Sequence, residues 1–153
     1  MGYHTVVVGY DGSSDADLAV EAAADQIGPD GTVHVVTAFH PETNARLIQH
    51  LQQLPEEFRY VYDHDAAEEA RQHAALARLQ ERGVNCLGHV VPEDPATAII
   101  DVARREAAEL VVVGSRGLGA AQRYLRGSVS ARVMAHSPTS VLIVHNPAHT
   151  PPG

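Results

Sequence analysis

Five short apolar runs, each parted from the next by a segment of helical character, constrain this chain more than any other feature. They are Thr5–Val8, Thr32–Ala38, Val84–Val91, Leu110–Val113 and Ser140–Val144. The runs are nearly continuous in valine, isoleucine and leucine instead of alternating with polar residues. Strands of that kind need cover on both faces, which is the condition of a parallel sheet with helices on each side. The intervening segments supply those helices. The first starts at Ser13-Ser14, where Ser14 to Asp17 resembles a capping box with Asp in place of Glu, and runs to about Ile27 before Gly28-Pro29. Leu18, Ala22 and Asp25 share one of its helical rows and Ala19, Ala22 and Ala23 another. The second covers Ala66–Arg82, with Ala70, Ala74 and Ala77 as the expected buried stripe and Gly83 as the stop. The third follows the Asp94-Pro95 cap and buries Ala96, Ile99, Ile100, Ala103 and Ala107. The fourth runs from Ser128 to His136 and halts at Ser137-Pro138. Between strand two and helix two, Leu47, Leu51, Leu54 and Phe58 fall at helical spacing, so a short amphipathic helix is expected there.

At 153 residues the chain is read as one domain over 1–146, followed by a disordered Pro-rich tail over 147–153. No apolar stretch reaches the ~18 residues needed to cross a bilayer, and no basic-then-apolar leader opens the chain, so no membrane partner is expected. Cys86 stands alone, which rules out an internal disulfide and fits a reduced, cytoplasmic setting. It reads as a small strand residue and not a nucleophile.

Function is concentrated after the fourth run. Gly114-Ser115-Arg116-Gly117 trails Leu110–Val113, and Gly127-Ser128 follows before the last helix. Glycines at a strand mouth allow positive φ and close approach of a ligand to the backbone. A helix opening at Ser128 offers unpaired N–H groups and the positive end of its dipole to an anion. The arrangement reads as a phosphate cradle. It lacks the Gly-Lys-Ser/Thr step of a Walker A loop. The chain contains no lysine, so a cationic partner to phosphate must be arginine, with Arg116, Arg123 and Arg126 as candidates. Gly119 relaxes the loop.

Charge points the same way. The net charge is −8, yet all 19 acidic residues lie at or before Glu109. The first 109 residues carry seven arginines and a net −12, while the rest has four arginines, no acid and a net +4. Such a chain repels nucleic acid as a whole but can hold a small polyanion at its acid-free end. A second turn, Gly9-Tyr10-Asp11-Gly12-Ser13, closes strand one. Ligands of open parallel sheets bind beyond the carboxyl ends of the strands where strand order reverses. If strands one and four are neighbours there, both turns face one crevice. The ten histidines show no paired helical or short-loop spacing suited to a metal, and most are read as surface residues.

Taken together, Val6-Val7-Val8-Gly9-Tyr10-Asp11-Gly12-Ser13, the Gly114–Gly117 and Gly127–Ser130 signature (Gly, two residues, Gly, nine residues, Gly, Ser) and Pro138–Val144 resemble the universal stress protein family, in its ATP-binding branch. The likeness runs in order from about residue 4 to 146. It implies a single-domain, Rossmann-like open parallel five-stranded sheet in the order 3-2-1-4-5, with ATP (or ADP) at the gap between strands one and four. Carried over, Asp11 stands near the ribose or the phosphate-bound Mg²⁺, Gly9 beside the nucleotide, and Ala38 against adenine through its backbone. Gly114, Ser115 and Gly117 admit the ribose and phosphates, while Gly127, Ser128, Val129 and Ser130 bind phosphate oxygens. Arg116 and Arg123 are added from the residues themselves. The likeness also implies a homodimer through Val141–Val144, a valine-rich strand with no charged gatekeeper beside it.

Three readings compete. The first is an ATP-binding regulatory module with at most slow hydrolysis, since no dedicated catalytic base accompanies the loop. The second is a nucleotide-using enzyme, which would need a Ser-Gly-Gly-x-Asp-Ser or His-x-Gly-His step that is missing after strand one. The third is a dimeric interaction module without nucleotide. Asp11 also has a purely local use, capping N–H groups of its own turn.

Overall fold

The computed structural model describes residues 2–39, 53, 64–115 and 128–147. Its order is β1 (Tyr3–Gly9), α1 (Ser14–Gln26), β2 (Ile27–Ala38), α2 (His64–Glu81), β3 (Asn85–Val91), α3 (Pro95–Arg105), β4 (Leu110–Gly114), α4 (Ser128–His136) and β5 (Ser140–Val144). The five strands form one sheet in the order β3-β2-β1-β4-β5, every pairing parallel. This is the expected order. The amphipathic segment expected around Leu47–Phe58 and the tail beyond Pro147 lie outside the described residues.

Strand periodicity sorts the valines between two cores. Val6, Val8, Val33, Val35, Leu110 and Val112 face α1 and α2, packing on Ala16, Ala19, Val20, Ala23, Ala75 and Leu79. Val7, Val36, Val111 and Val113 face the other way, against Ala96, Ile99, Val102, Val129 and Val133 of α3 and α4. Because both sides of the inner strands β1, β2 and β4 are buried over their valines, continuous valine runs are what this part of the sheet requires.

Helix faces differ from expectation. In α2 the buried residues are Gln72, Ala75 and Leu79, whereas Ala70, Ala74 and Ala77 are exposed. In α1 the inward row is Asp15, Ala16, Ala19, Val20, Ala23 and Ala24, and Leu18 points outward. Alanine is the common cause: it populates every row of both helices, so its spacing marks no unique face. The cap of α1 is Ser13, one residue earlier than expected, its hydroxyl accepting the Ala16 N–H at 3.1 Å. Nor does Gly28-Pro29 end a helix followed by a loop. β2 begins directly at Ile27, and proline is tolerated near the start of a strand.

The carboxyl ends of α2 and α3 share one design. At α2, Val84 N–H bonds Leu79 C=O and Gly83 N–H bonds Gln80 C=O, with Gly83 at φ +73°. At α3, Ala108 N–H bonds Ala103 C=O and Ala107 N–H bonds Arg104 C=O, with Ala107 at φ 52°. Both are Schellman closures, but the second places alanine where glycine is favoured. Ala107 is therefore an exposed cap residue and not part of the buried row.

Candidate functional site

The geometry that matters lies at one edge of the sheet. β1 pairs with β2 on one side and β4 on the other, Val8 opposite both Val35 and Val112. Strand order therefore reverses between β1 and β4. Since the two run parallel, the turn leaving Gly9 and the loop leaving Gly114 emerge from the same edge of the sheet. Ala38 ends β2 on that edge as well, opposite Val91.

The Gly9–Ser13 turn is built from its own hydrogen bonds. Tyr10 N–H donates to Val36 C=O at 2.9 Å, carrying the β1 ladder one residue past the strand. Asp11 Oδ1 accepts the Ser13 N–H at 2.9 Å, an Asx turn of the kind its local reading expected. Gly12 has φ +85° and is the glycine of these two loops that uses the left-handed region, among the described residues. Gly9 and Gly114 instead keep strand geometry and are buried, so the expected positive φ at the mouth of β4 does not occur at Gly114. Tyr10 is 4% exposed and its hydroxyl donates to Asp17 Oδ1 at 3.1 Å. Burial, then the Asp17 carboxylate, pushes the phenol above its ordinary pKa.

On the β4 side, Ser115 N–H donates to Val144 C=O at 2.9 Å, continuing the pairing with β5. The Val129 side chain is part of the core shared with Val113 and Val133, which leaves its backbone alone for any ligand. Ser130 is buried at 8% exposure. Arg116, Gly117, Gly119, Arg123 and Gly127 lie outside the described residues, as does the Ser128 side chain. Arg132, counted among the cations of the acid-free end, is committed elsewhere: it bonds Asp94 Oδ1 at 2.9 Å, tying α4 to the start of α3. Asp94 also caps α3, accepting the Thr97 N–H at 3.2 Å and the Thr97 hydroxyl. Burial works against its charged form, but the Thr97 and Arg132 hydrogen bonds outweigh it and hold the carboxyl below its ordinary value.

Two features were not visible in the sequence. Arg71 of α2 lies over Gly12, where a Cβ would stand 2.8 Å from its Cδ, and pairs with Glu68 at 3.2 Å. With Tyr10, Asp11, Ser13, Ala70 and Ala74 it lines a cleft of ≈ 460 Å³ beside the turn. Nothing in the local pattern around Arg71 announces that contact, because it arises only when α1 and α2 pack side by side. The other is a meeting of histidines. His34 is 5% exposed, contrary to its expected surface position, and its Nδ1 lies 2.9 Å from His89 Nε2. Cys86 behaves as expected: it lies in β3 with Sγ 3.7 Å from Leu76 C=O, and burial pushes its thiol up.

The fold and its strand-order reversal define an open, doubly wound α/β domain. The chain belongs to the universal stress protein family, whose description matches residues 2–145. Universal stress protein Rv1636 of Mycobacterium tuberculosis is 35% identical over 151 residues, spanning 94% of this chain and 97% of that one. Its crystal structure superposes with a TM-score of 0.57, covering 95% and 98% of the two chains at 30% identity. A solved universal stress protein in complex with cAMP is 29% identical, with a TM-score of 0.66 and the same coverage of 95% and 98%. Among the described residues, no helix is long and apolar enough to cross a membrane.

Proposed function

We propose that this chain is an adenine-nucleotide-dependent regulatory module whose ligand is ATP, held between the Gly9–Ser13 turn and the Gly114–Ser130 segment. The observation that carries the reading is the parallel adjacency of β1 and β4, which brings both segments to one edge of the sheet. The cAMP complex of a relative supports an adenine nucleotide in this family. Gly9 and Ala38 border the base and ribose. Gly114, Ser115, Gly117 and Gly119 admit the phosphate chain, and Gly127 to Ser130 meet it with backbone N–H groups and hydroxyls. Arg116 and Arg123 supply positive charge.

Asp11 fits a Mg²⁺ that accompanies the phosphates, because hard cations take carboxylate oxygens and this one is fixed in place by the Ser13 N–H. When bound, Mg²⁺ would neutralise phosphate charge. With no catalytic base assigned, hydrolysis is slow at most. Two copies associate through β5, an edge strand of this sheet, to give a symmetric dimer.

The test is calorimetric titration with ATP, ADP, AMP and cyclic AMP, with and without Mg²⁺, alongside a turnover assay. ATP is expected to bind most tightly. Gly117→Val should abolish that binding with the circular dichroism spectrum unchanged. Equal affinity in the variant would remove the cradle, and a clear preference for cyclic AMP would reassign the ligand.

A further inference from the structure

Away from the crevice, three metal-ligating side chains from three elements converge on the α3 face of the sheet. We propose that His34, His89 and Glu106 form a binding site for a divalent transition cation of the zinc class. One ring nitrogen from each of His34 and His89 and a Glu106 carboxylate oxygen all lie within 4.8 Å of one another. The rings stack at a centroid distance of 5.2 Å with an interplanar angle of 30°. Each donor is placed by the fold. His34 is in β2 opposite Val7, and His89 is in β3 two residues beyond the partner of His34, Leu87. Glu106 caps the carboxyl end of α3 through its backbone N–H to Val102 C=O. His89 stands level with Val36, the partner of Gly9, and His34 two residues nearer the middle of the sheet, yet the group shares no residue with the nucleotide site.

The donor set suits the cation. Zn²⁺ takes imidazole nitrogen and carboxylate oxygen at about 2.0–2.2 Å in tetrahedral array, which spaces ligand atoms about 3.3 Å apart. The two ring nitrogens, 2.9 Å apart, need to open by a few tenths of an ångström. Glu106 closes in on a side chain one-third exposed, exchanging its Arg105 contact for the metal. Two imidazoles with one carboxylate leave a fourth position for water. Imidazole donors favour zinc, nickel, cobalt or copper over magnesium or calcium. Burial, with Arg105 adding to it at both rings, keeps the two histidines below their ordinary pKa, in the neutral form that ligates.

A proton and a competitor must move. Arg105 Nη2 lies 3.4 Å from His89 Nδ1, and a guanidinium only donates, so His89 accepts there and carries its proton on Nε2. That N–H donates to His34 Nδ1. Cation binding at Nε2 shifts the proton of His89 to Nδ1 and turns Arg105 away, with no net gain or loss of protons. Arg105 is 61% exposed and also pairs with Glu106 at 3.4 Å, so it is a positive charge beside the donors that competes with a metal for Glu106. The bound ion would staple the edge strand β3 to β2 and to the end of α3.

The full chain, chelator-treated and free of nucleotide, is titrated with Co²⁺ and then Zn²⁺. The expected result is one Co²⁺ per chain with the intense ligand-field bands of four-coordination, displaced by Zn²⁺. His89→Gln and Glu106→Gln should each weaken binding at least about tenfold, with circular dichroism unchanged. Both positions are partly exposed, so folding should survive. Arg105→Gln should tighten binding by removing the competing charge. No Co²⁺ binding, binding unchanged in His89→Gln, or weaker binding in Arg105→Gln would each overturn the site. Failure here leaves the nucleotide reading untouched, since ATP titration is read separately.

Discussion

Asp94 shows how one side chain serves two elements. It caps α3 through Thr97 and receives Arg132 from α4, so its charge is worth more in the folded chain than in the unfolded one. A carboxyl with lowered pKa binds fewer protons when folded, so its contribution is whole above the ordinary value of 3.8 and disappears as pH falls below it. Asp94→Asn should therefore lower stability at neutral pH and flatten the acid limb of a denaturation series. An unchanged acid limb would mean that the Thr97 and Arg132 contacts together do not favour the charged carboxylate. Ala107 is the opposite case, a residue under conformational strain. Left-handed geometry costs an alanine roughly 1 kcal/mol, and glycine nothing, though glycine also loosens the unfolded chain. Ala107→Gly should raise stability by up to about 1 kcal/mol, seen as a melting temperature higher by about 2–4 °C. Neither residue's role was visible in sequence beyond the Asp94-Pro95 cap. Ala107 continues the Ala96, Ile99, Ala103 spacing of a buried row, but it lies past the point where the Schellman closure stops the helix.

At the level of elements, strands were easier to read than helix faces. A strand buried on both sides announces itself as a valine run, whereas α2 has alanine on several rows and buries a glutamine. Gln72 is 4% exposed, and its Nε2 donates to Val35 C=O at 2.9 Å and His89 C=O at 2.9 Å. Gly88 makes room for it: a Cβ there would lie 2.1 Å from Gln72 Oε1. Gln72 thus clamps β3 to β2 from the side opposite the histidine pair. Gln72→Ala should cost about 1–3 kcal/mol. It should also speed amide exchange in β3 before β1. Equal protection loss across the sheet would argue against a local clamp. The same logic explains why the histidines escaped the sequence reading. Their pairing depends on β2–β3 register, across 55 positions, and not on spacing within one element.

For the molecule as a whole, the parallel sheet and the two turns at its carboxyl end followed from apolar runs and glycine punctuation. The family resemblance supplied the order that the structure displays. What sequence could not supply was lateral packing, hence Arg71 over Gly12 and the diversion of Arg132 to Asp94. The proposed dimer is tested at this scale. Val144 C=O is used by Ser115, so alternation turns the backbone groups of Val141 and Ile143 away from β4. Val141→Pro removes one outward N–H at nearly constant side-chain volume. It should shift the protein to monomer by light scattering, with ATP affinity retained. A variant that stays dimeric would move the contact away from β5.

Asn146, at the far end of the domain, donates to Asp15 Oδ1 at 3.1 Å, and Glu109 accepts the N–H groups of His4 and Thr5. The opening strand is thereby the keel of the molecule, yet one flank stays bare until β4 has been synthesised, a hundred residues later. During translation β1, β2 and β3 can zip together early, while the second flank of β1 waits for its late partner. A chain cut short before Leu110 would be left with an open, valine-lined seam along β1, and such a fragment should self-associate.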